Sequence, residues 1–252
     1  MNSVNFKDDK QFKNMKLHRL GGGMFSQVYH FMDDYAIKIY NGDADEVLAT
    51  IKGNADQAKL EWLTTLRTKN GCIKTPISSV TFDGKLKGYI MKEFAGKDYA
   101  YINSMTELKS MLLGMKKLYE DIEEISLKYN CRLRDIHTKN ILFSNDFNIA
   151  LIDTDCYEKS MVEPEITLKQ NIEEINRVLA ECLILRINKF IVLNDLTYYS
   201  ELYLVLESGL HGYITAMDMI NTSLNIIEKE INKKPTNLKE LTESVNSILV
   251  LK

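Results

Sequence analysis

The chain has 252 residues, of which 45% are apolar and 27% charged, and its formal net charge is −3. This composition is ordinary for a globular protein, and the balanced charge argues against nucleic acid or anionic lipid as a partner. The four cysteines form no Cys-x-x-Cys pair, so we expect free thiols in a reducing cytoplasm rather than zinc or disulfides. The N-terminal stretch lacks the apolar core of a signal peptide, and apolar runs such as 190–193 are too short to span a membrane.

Residues 20–29 follow a short predicted strand at 15–17 and have the pattern Gly-x-Gly-x-x-Ser-x-Val. Such glycines let the backbone turn tightly and bring its N–H groups close to phosphate oxygens. The match alone is weak, because three successive glycines are also typical of a flexible hairpin. A dinucleotide-binding loop would lead into a helix, whereas this stretch leads into a strand-like run at 27–31. The residues that we expect beside a phosphate ligand are Gly21, Gly22, Gly23 and Ser26.

Three further strands are predicted in the first third of the chain. The run 35–40 carries Lys38 among apolar residues, which favours a phosphate-binding lysine over an edge-strand lysine in water. The runs 77–82 and 86–94 flank an Asp-Gly dipeptide that is typical of a hairpin turn. We expect a small antiparallel sheet, which the chain leaves near Gly96.

A lysine held in such a site needs an acidic partner. The apolar spacing of residues 56–66 predicts a helix, and its Glu61 is the expected partner of Lys38. Glu46 is the competing candidate, but it follows Lys38 so closely that little chain remains for a turn.

A helical pattern begins near residue 104 and continues to 125, with a possible interruption at Gly114. After it, Asp135 and Asn140 stand five residues apart in a polar loop, and a second short apolar run ends in Asp153. This arrangement can hold one acid over a hydroxyl while an amide and another acid bind magnesium.

Taken in order, Gly-x-Gly, Ala-x-Lys, Asp-x-x-x-x-Asn-Ile-Leu and Leu-Ile-Asp resemble the motifs of the protein-kinase-like superfamily, over residues 17–155. The resemblance implies ATP as phosphate donor and Mg²⁺ as cofactor. It implies that Asp135 is the catalytic base, that Lys38 binds the α- and β-phosphates, and that Asn140 and Asp153 bind magnesium. The residues implied around the rest of the nucleotide are Val28, Ala36, Met91, Glu93 and Phe94.

Three positions depart from the family pattern. Leu133 replaces the histidine before Arg-Asp, and Thr154-Asp155 replaces the Phe-Gly pair. His137 replaces a lysine, so the loop resembles aminoglycoside- and choline-type phosphotransferases and atypical bacterial kinases. We expect His137 to contact the transferred phosphate or the substrate hydroxyl, although it can equally brace the loop. Asp155 fits either a second metal ligand or a turn cap.

The last hundred residues have the periodicity of helices. These are predicted at 167–187, 195–206, 211–231 and from 235 onward. We therefore expect an α+β, two-lobed kinase-like fold, with a glycine-loop lobe at 1–95 and a reduced, mostly helical lobe at 96–252. The expected function is that of a protein serine/threonine kinase with a protein substrate or partner. A small-molecule kinase and a nucleotide-binding pseudokinase remain open alternatives.

Overall fold

The computed structural model describes residues 3–42, 57–193 and 200–250. The fold is α+β, as predicted, with a mixed six-stranded sheet followed mainly by helices. In spatial order the sheet runs β1-β5-β6-β4-β3-β2. Its strands are β1 (Val4–Phe6), β2 (Arg19–Gly22), β3 (Ser26–His30), β4 (Tyr35–Tyr40), β5 (Pro76–Phe82) and β6 (Lys85–Lys92).

The first strand departs from the antiparallel sheet expected from the sequence. β1 runs parallel to β5, whereas the other neighbouring pairs of this sheet are antiparallel. β1 and helix α1 (Asp9–Asn14) were not predicted, because the N-terminal stretch is mostly polar. Both form because Phe6 and Phe12 pack against Phe82, with ring centroids 5.6 and 5.7 Å from it. The strand predicted at 15–17 is absent, because α1 ends there.

The hairpin predicted between β5 and β6 is confirmed. Asp83 and Gly84 both have positive φ, 49° and 75°, as a tight two-residue hairpin turn requires. Farther along β6, Gly88 lies against β4, where an added Cβ would stand 1.9 Å from the Lys38 carbonyl oxygen. A glycine is therefore needed at 88 to bring β6 close to the strand that carries Lys38.

Helix α2 (Gln57–Leu63) is shorter than predicted, and residue 56 lies outside the described part of the chain. Between the last turn of α2 and Ile73, the buried apolar side chains pack with the helices rather than with the sheet. Leu63, Leu66 and Ile73 are buried in the large core that the later helices form. Residues 63–73 thus join the helical core although they precede the predicted boundary at residue 95.

A buried carboxylate holds this connection. Asp121 is fully buried and accepts hydrogen bonds from Thr68 Oγ1 and from the backbone N–H groups of Asn70 and Cys72, at 2.8, 2.8 and 2.7 Å. These bonds satisfy backbone donors that would otherwise be unpaired inside the protein.

The remaining helices enclose the main core. They are α3 (Leu108–Tyr129), α4 (Pro164–Leu193), α5 (Glu201–Leu210), α6 (Ala216–Ile231) and α7 (Leu238–Val250). The short strands among them are β7 (Cys131–Arg132), β8 (Ile141–Phe143), β9 (Ile149–Leu151) and β10 (Glu158–Lys159). β7 pairs with β10 and β8 with β9, both antiparallel. Part of the helix predicted at 195–206 lies outside the described residues.

Helix α3 is continuous, so the interruption expected at Gly114 does not occur. Gly114 is there for packing: a Cβ at this position would lie 2.1 Å from the Phe147 carbonyl oxygen. The glycine lets the loop between β8 and β9 approach the helix, and α3 thereby supports the segment that carries the polar site residues.

Candidate active site

A cleft of about 1440 Å³ lies where β2, β3, β4 and β6 face the segments around β8 and β9. All but one of the site residues predicted from the sequence line this cleft, and Glu61 is the exception. The residues brought together are Gly21, Gly22, Gly23, Ser26, Val28, Ala36, Lys38, Met91, Glu93, Phe94, Asp135, His137, Asn140 and Asp153.

The glycine-rich stretch forms the hairpin between β2 and β3. Gly23 N–H donates to the Ser26 carbonyl at 2.9 Å, and a Cβ at Gly22 would lie 2.8 Å from that same oxygen. Asn41 closes the hairpin from the far end of β4, because its Nδ2 donates to the carbonyls of Gly23 and Met24. This role of Asn41 was not predicted, because it depends on contacts with residues 17 and 18 positions earlier in the chain.

Lys38 is buried on β4 with its ammonium group between two carboxylates. Nζ donates to both carboxylate oxygens of Asp155 at 3.0 Å and contacts Asp153 Oδ1. Tyr40 OH donates to Asp155 Oδ2, also at 3.0 Å. Nζ further lies 5.5 Å from the ring centroid of Tyr89, within cation–π range. A buried lysine is thereby held charged at the inner end of the cleft.

The charges of this cluster shift one another's pKa values. Burial disfavours the Lys38 ammonium, but Asp155 and then Asp153 outweigh that effect, so the pKa of Lys38 is raised. Burial also disfavours the ionised Asp155 carboxylate. The Lys38 charge and the hydrogen bonds that Asp155 accepts nevertheless hold the pKa of Asp155 below its ordinary value. For Asp153 burial prevails over the attraction of Lys38, and its pKa is raised.

The expected partner of Lys38 is replaced. Glu61 is exposed on α2 and does not line the cleft, and the carboxylates that contact Lys38 are Asp155 and Asp153. Glu46, the competing candidate, lies outside the described residues. The sequence placed Asp155 in the right segment but assigned it to a metal or a turn cap.

The loop between β7 and β8 orients Asp135, His137 and Asn140. Asn140 Nδ2 donates to the Asp135 backbone carbonyl at 2.9 Å, which ties the two ends of the loop together. Lys139 N–H donates to His137 Nδ1 at 3.2 Å, so in the neutral ring the proton is on Nε2. That nitrogen lies 3.8 Å from Asp135 Oδ1. His137 therefore both braces the loop and faces the Asp135 carboxylate.

Asn171 of α4 holds the strand that enters this loop. It is fully buried, and its Oδ1 accepts from Leu133 N–H at 3.0 Å and from Arg132 Nη1 at 2.6 Å. Its Nδ2 donates to the Cys131 carbonyl and to Ser126 Oγ. Sequence reasoning missed Asn171, whose partners lie about forty residues earlier in the chain.

Two of the aspartates that line the cleft, Asp135 and Asp153, have left-handed backbone conformations, with φ of 58° and 60°. Such conformations disfavour residues other than glycine and recur at functional sites. Ile152 N–H donates to the Asn140 carbonyl at 3.0 Å, so the segment that ends in Asp153 runs beside Asn140.

Asn140 and Asp153 suit a magnesium ion. Asn140 donates through Nδ2 to the Asp135 carbonyl, so the Asn140 amide oxygen is the atom that would bind a metal. The Asp153 side chain is 40% exposed at the cleft. Amide and carboxylate oxygens are ligands that magnesium prefers, with phosphate oxygens and waters completing its shell. Within the described ranges no three His, Cys, Asp or Glu side chains cluster as a metal site.

Part of the cleft is apolar. Val28, Ala36 and Met91 line it from the sheet, and Leu142 and Ile152 line it from the helical part. The predicted connecting segment borders the same space. The backbone N–H of Glu93 donates to the Asp34 carbonyl at 2.9 Å, so it is not available to a ring edge. Leu142 and Ile152 were not predicted, although they follow the Asn140 motif and precede Asp153.

Comparison with protein-family models finds no match for this chain, and comparison with curated proteins finds none either. Among residues 3–42, 57–193 and 200–250, no helix combines the length and the apolar character needed to cross a membrane.

Proposed function

We propose that the chain is an ATP- and magnesium-dependent phosphotransferase of the protein-kinase-like superfamily, acting on a serine or threonine hydroxyl of a protein. One observation carries the proposal. The glycine hairpin, Lys38, Asp135, Asn140 and Asp153 come from separate segments and line a single cleft. Each has the chemistry that phosphoryl transfer requires: phosphate-binding N–H groups, a cation, a base and two oxygen ligands.

The same proposal includes a two-lobed organisation. Residues 1–95 form the lobe that covers the phosphates, and residues 96–252 form the lobe that carries the catalytic loop. The arrangement of a sheet facing helices across a cleft supports this assignment. Residues 63–73 are the exception, because they pack in the helical core.

In the proposed reaction the γ-phosphorus loses its bond to the bridging oxygen of ADP and gains a bond to the substrate oxygen. Asp135 orients the hydroxyl and accepts its proton as the new bond forms. Lys38 binds the α- and β-phosphate oxygens, and the hairpin N–H groups cover them. His137 Nε2–H donates toward the incoming oxygen or the transferred phosphate. Asn140 and Asp153 would hold a magnesium ion, which supplies positive charge to the phosphate oxygens when bound.

The test uses γ-labelled ATP, magnesium and a generic protein substrate with the full chain. We expect label on the substrate or on the protein itself, and a rate lower by about 10²–10⁴ in Asp135→Asn, because general base catalysis contributes that factor. The matched control is Asp146→Asn, an aspartate between β8 and β9 that does not line the cleft. Nucleotide binding without transfer to any acceptor would instead favour a pseudokinase.

A small-molecule acceptor is the second candidate, and the short segment after Asp153 favours it. β10 returns to pair with β7, and α4 begins at Pro164, only eleven residues after Asp153. The Asp135 side chain remains 51% exposed. A panel of aminoglycosides, choline and sugars replaces the protein substrate, and turnover with these alone would overturn the assignment to protein substrates.

A further inference from the structure

We propose that Asp155 is the residue that positions Lys38 for the phosphates, in place of a glutamate from helix α2. The inference rests on the proposed function, because it concerns how the same site is assembled. Asp155 acts through Lys38 and does not touch the substrate, so it is a positioning residue.

The contacts of Asp155 are those of a built counter-ion. Its side chain is 3% exposed and that of Lys38 is 5% exposed, so neither is solvated at the surface. Both carboxylate oxygens accept from Lys38, and Oδ2 also accepts from Tyr40 OH. A buried charge is tolerated only when it is paired and hydrogen-bonded, and here both conditions are met.

The same contacts argue against the other roles expected for Asp155. Both of its oxygens accept hydrogen bonds from the sheet, and its side chain is 3% exposed against 40% for Asp153, so Asp153 is the better placed of the two to bind a metal ion. Nor does it merely cap a turn, because its partners Lys38 and Tyr40 lie on the sheet, 117 and 115 residues earlier in the chain.

The segment that supplies the carboxylate for Lys38 determines which parts of the chain assemble the site. Asp155 belongs to the same short segment as Asp153, so one segment positions both the lysine and a proposed metal ligand. Within the described bounds of α2, no carboxylate reaches Lys38, and the connection that follows the helix is fixed in the helical core through Asp121. The carboxylate that pairs with Lys38 therefore comes from the segment of Asp153, while α2 contributes packing instead, because its Leu60 is buried in one cluster with Tyr40 and Tyr89.

The first experiment needs no nucleotide. Thermal unfolding is measured for Lys38→Met, Asp155→Asn and the double variant, and again for Lys38→Met with Glu61→Gln. We expect Asp155→Asn to lower Tm by roughly 5–10 °C, since it breaks a buried pair. The double variant should lose less than the sum of the single changes, whereas Glu61→Gln should be additive with Lys38→Met. Additivity of Lys38→Met with Asp155→Asn would overturn the pairing.

The second experiment measures phosphoryl transfer. Asp155→Asn should lower kcat/KM by about 10²–10³, the range found when one electrostatic group is lost. Glu61→Gln, which removes the same charge by the same chemistry, should stay close to wild type. Lys38→Met with Asp155→Asn should be no slower than Lys38→Met alone, because both act through one group. An equal loss in Glu61→Gln would refute the proposal.

Tyr40→Phe keeps the ion pair and tests the same assembly in a variant that conserves volume. It should fold and lower kcat/KM roughly 10- to 100-fold, as the loss of one hydrogen bond to a charged group implies. An unchanged kcat/KM counts against the proposal. If the wild-type chain transfers no phosphate at all, the proposed function fails, and the unfolding cycle alone still decides whether Asp155 holds Lys38.

Discussion

Replacement of Asn171 by leucine should destabilise the loop between β7 and β8 without leaving a cavity, because the two side chains have similar volumes. Two of the four groups bonded to Asn171 keep another partner: Arg132 retains Glu174 at 3.0 Å, and Ser126 retains the Ile122 carbonyl at 2.6 Å. The Leu133 N–H and the Cys131 carbonyl depend on Asn171 and lie in fully buried residues.

Each buried group left unpaired costs about 1–3 kcal/mol, so Asn171→Leu should lower the free energy of unfolding by about 2–6 kcal/mol. Total stabilities are about 5–15 kcal/mol, which makes this a large fraction. Urea unfolding followed by circular dichroism measures the change. Ser126→Ala is the matched control, with an expected cost of about 1 kcal/mol. A loss in Asn171→Leu no larger than that in Ser126→Ala would refute the reasoning.

Three other outcomes follow from the packing and the charges. Gly88→Ala should prevent β6 from closing on β4 and give little folded protein, whereas Gly23→Ala, where an added Cβ meets nothing within 4 Å, should leave Tm nearly unchanged. Asp121→Ala should cost about 2–6 kcal/mol in urea unfolding, because it leaves two backbone N–H groups unpaired. Burial and then the Asp155 charge raise the pKa of Cys156 to about 12. At pH 8 only about one thiol in 10,000 is then ionised, so alkylation of Cys156 should be far slower in the folded chain than in the urea-unfolded chain. Equal alkylation rates would contradict this.

The residues that the sequence predicted best are those fixed by local spacing. Asp135 and Asn140 lie within one loop, and Lys38 lies in a short apolar run that predicts a strand. All three line the cleft. A local signal also predicted the hairpin between β5 and β6, because an Asp-Gly pair adopts the positive φ angles that the hairpin turn needs.

The residues that the sequence did not predict are those whose role depends on distant partners. Asp155 meets Lys38 across 117 residues, and Asn171 meets Leu133 across 38. A helical glutamate such as Glu61 has the right chemistry for Lys38, but spacing along a helix does not say which face meets the cleft. β1 was missed for the same reason, because its strand pairing is with Val80 and neighbouring residues far along the chain.

The placement of Leu63, Leu66 and Ile73 in the helical core has a consequence for folding. These side chains come from the N-terminal part of the chain, yet they complete the packing of the C-terminal part. A fragment that begins after residue 95 would expose the apolar surface that they cover, and such surfaces promote aggregation. The C-terminal part therefore cannot become fully native during synthesis before the earlier segment has docked.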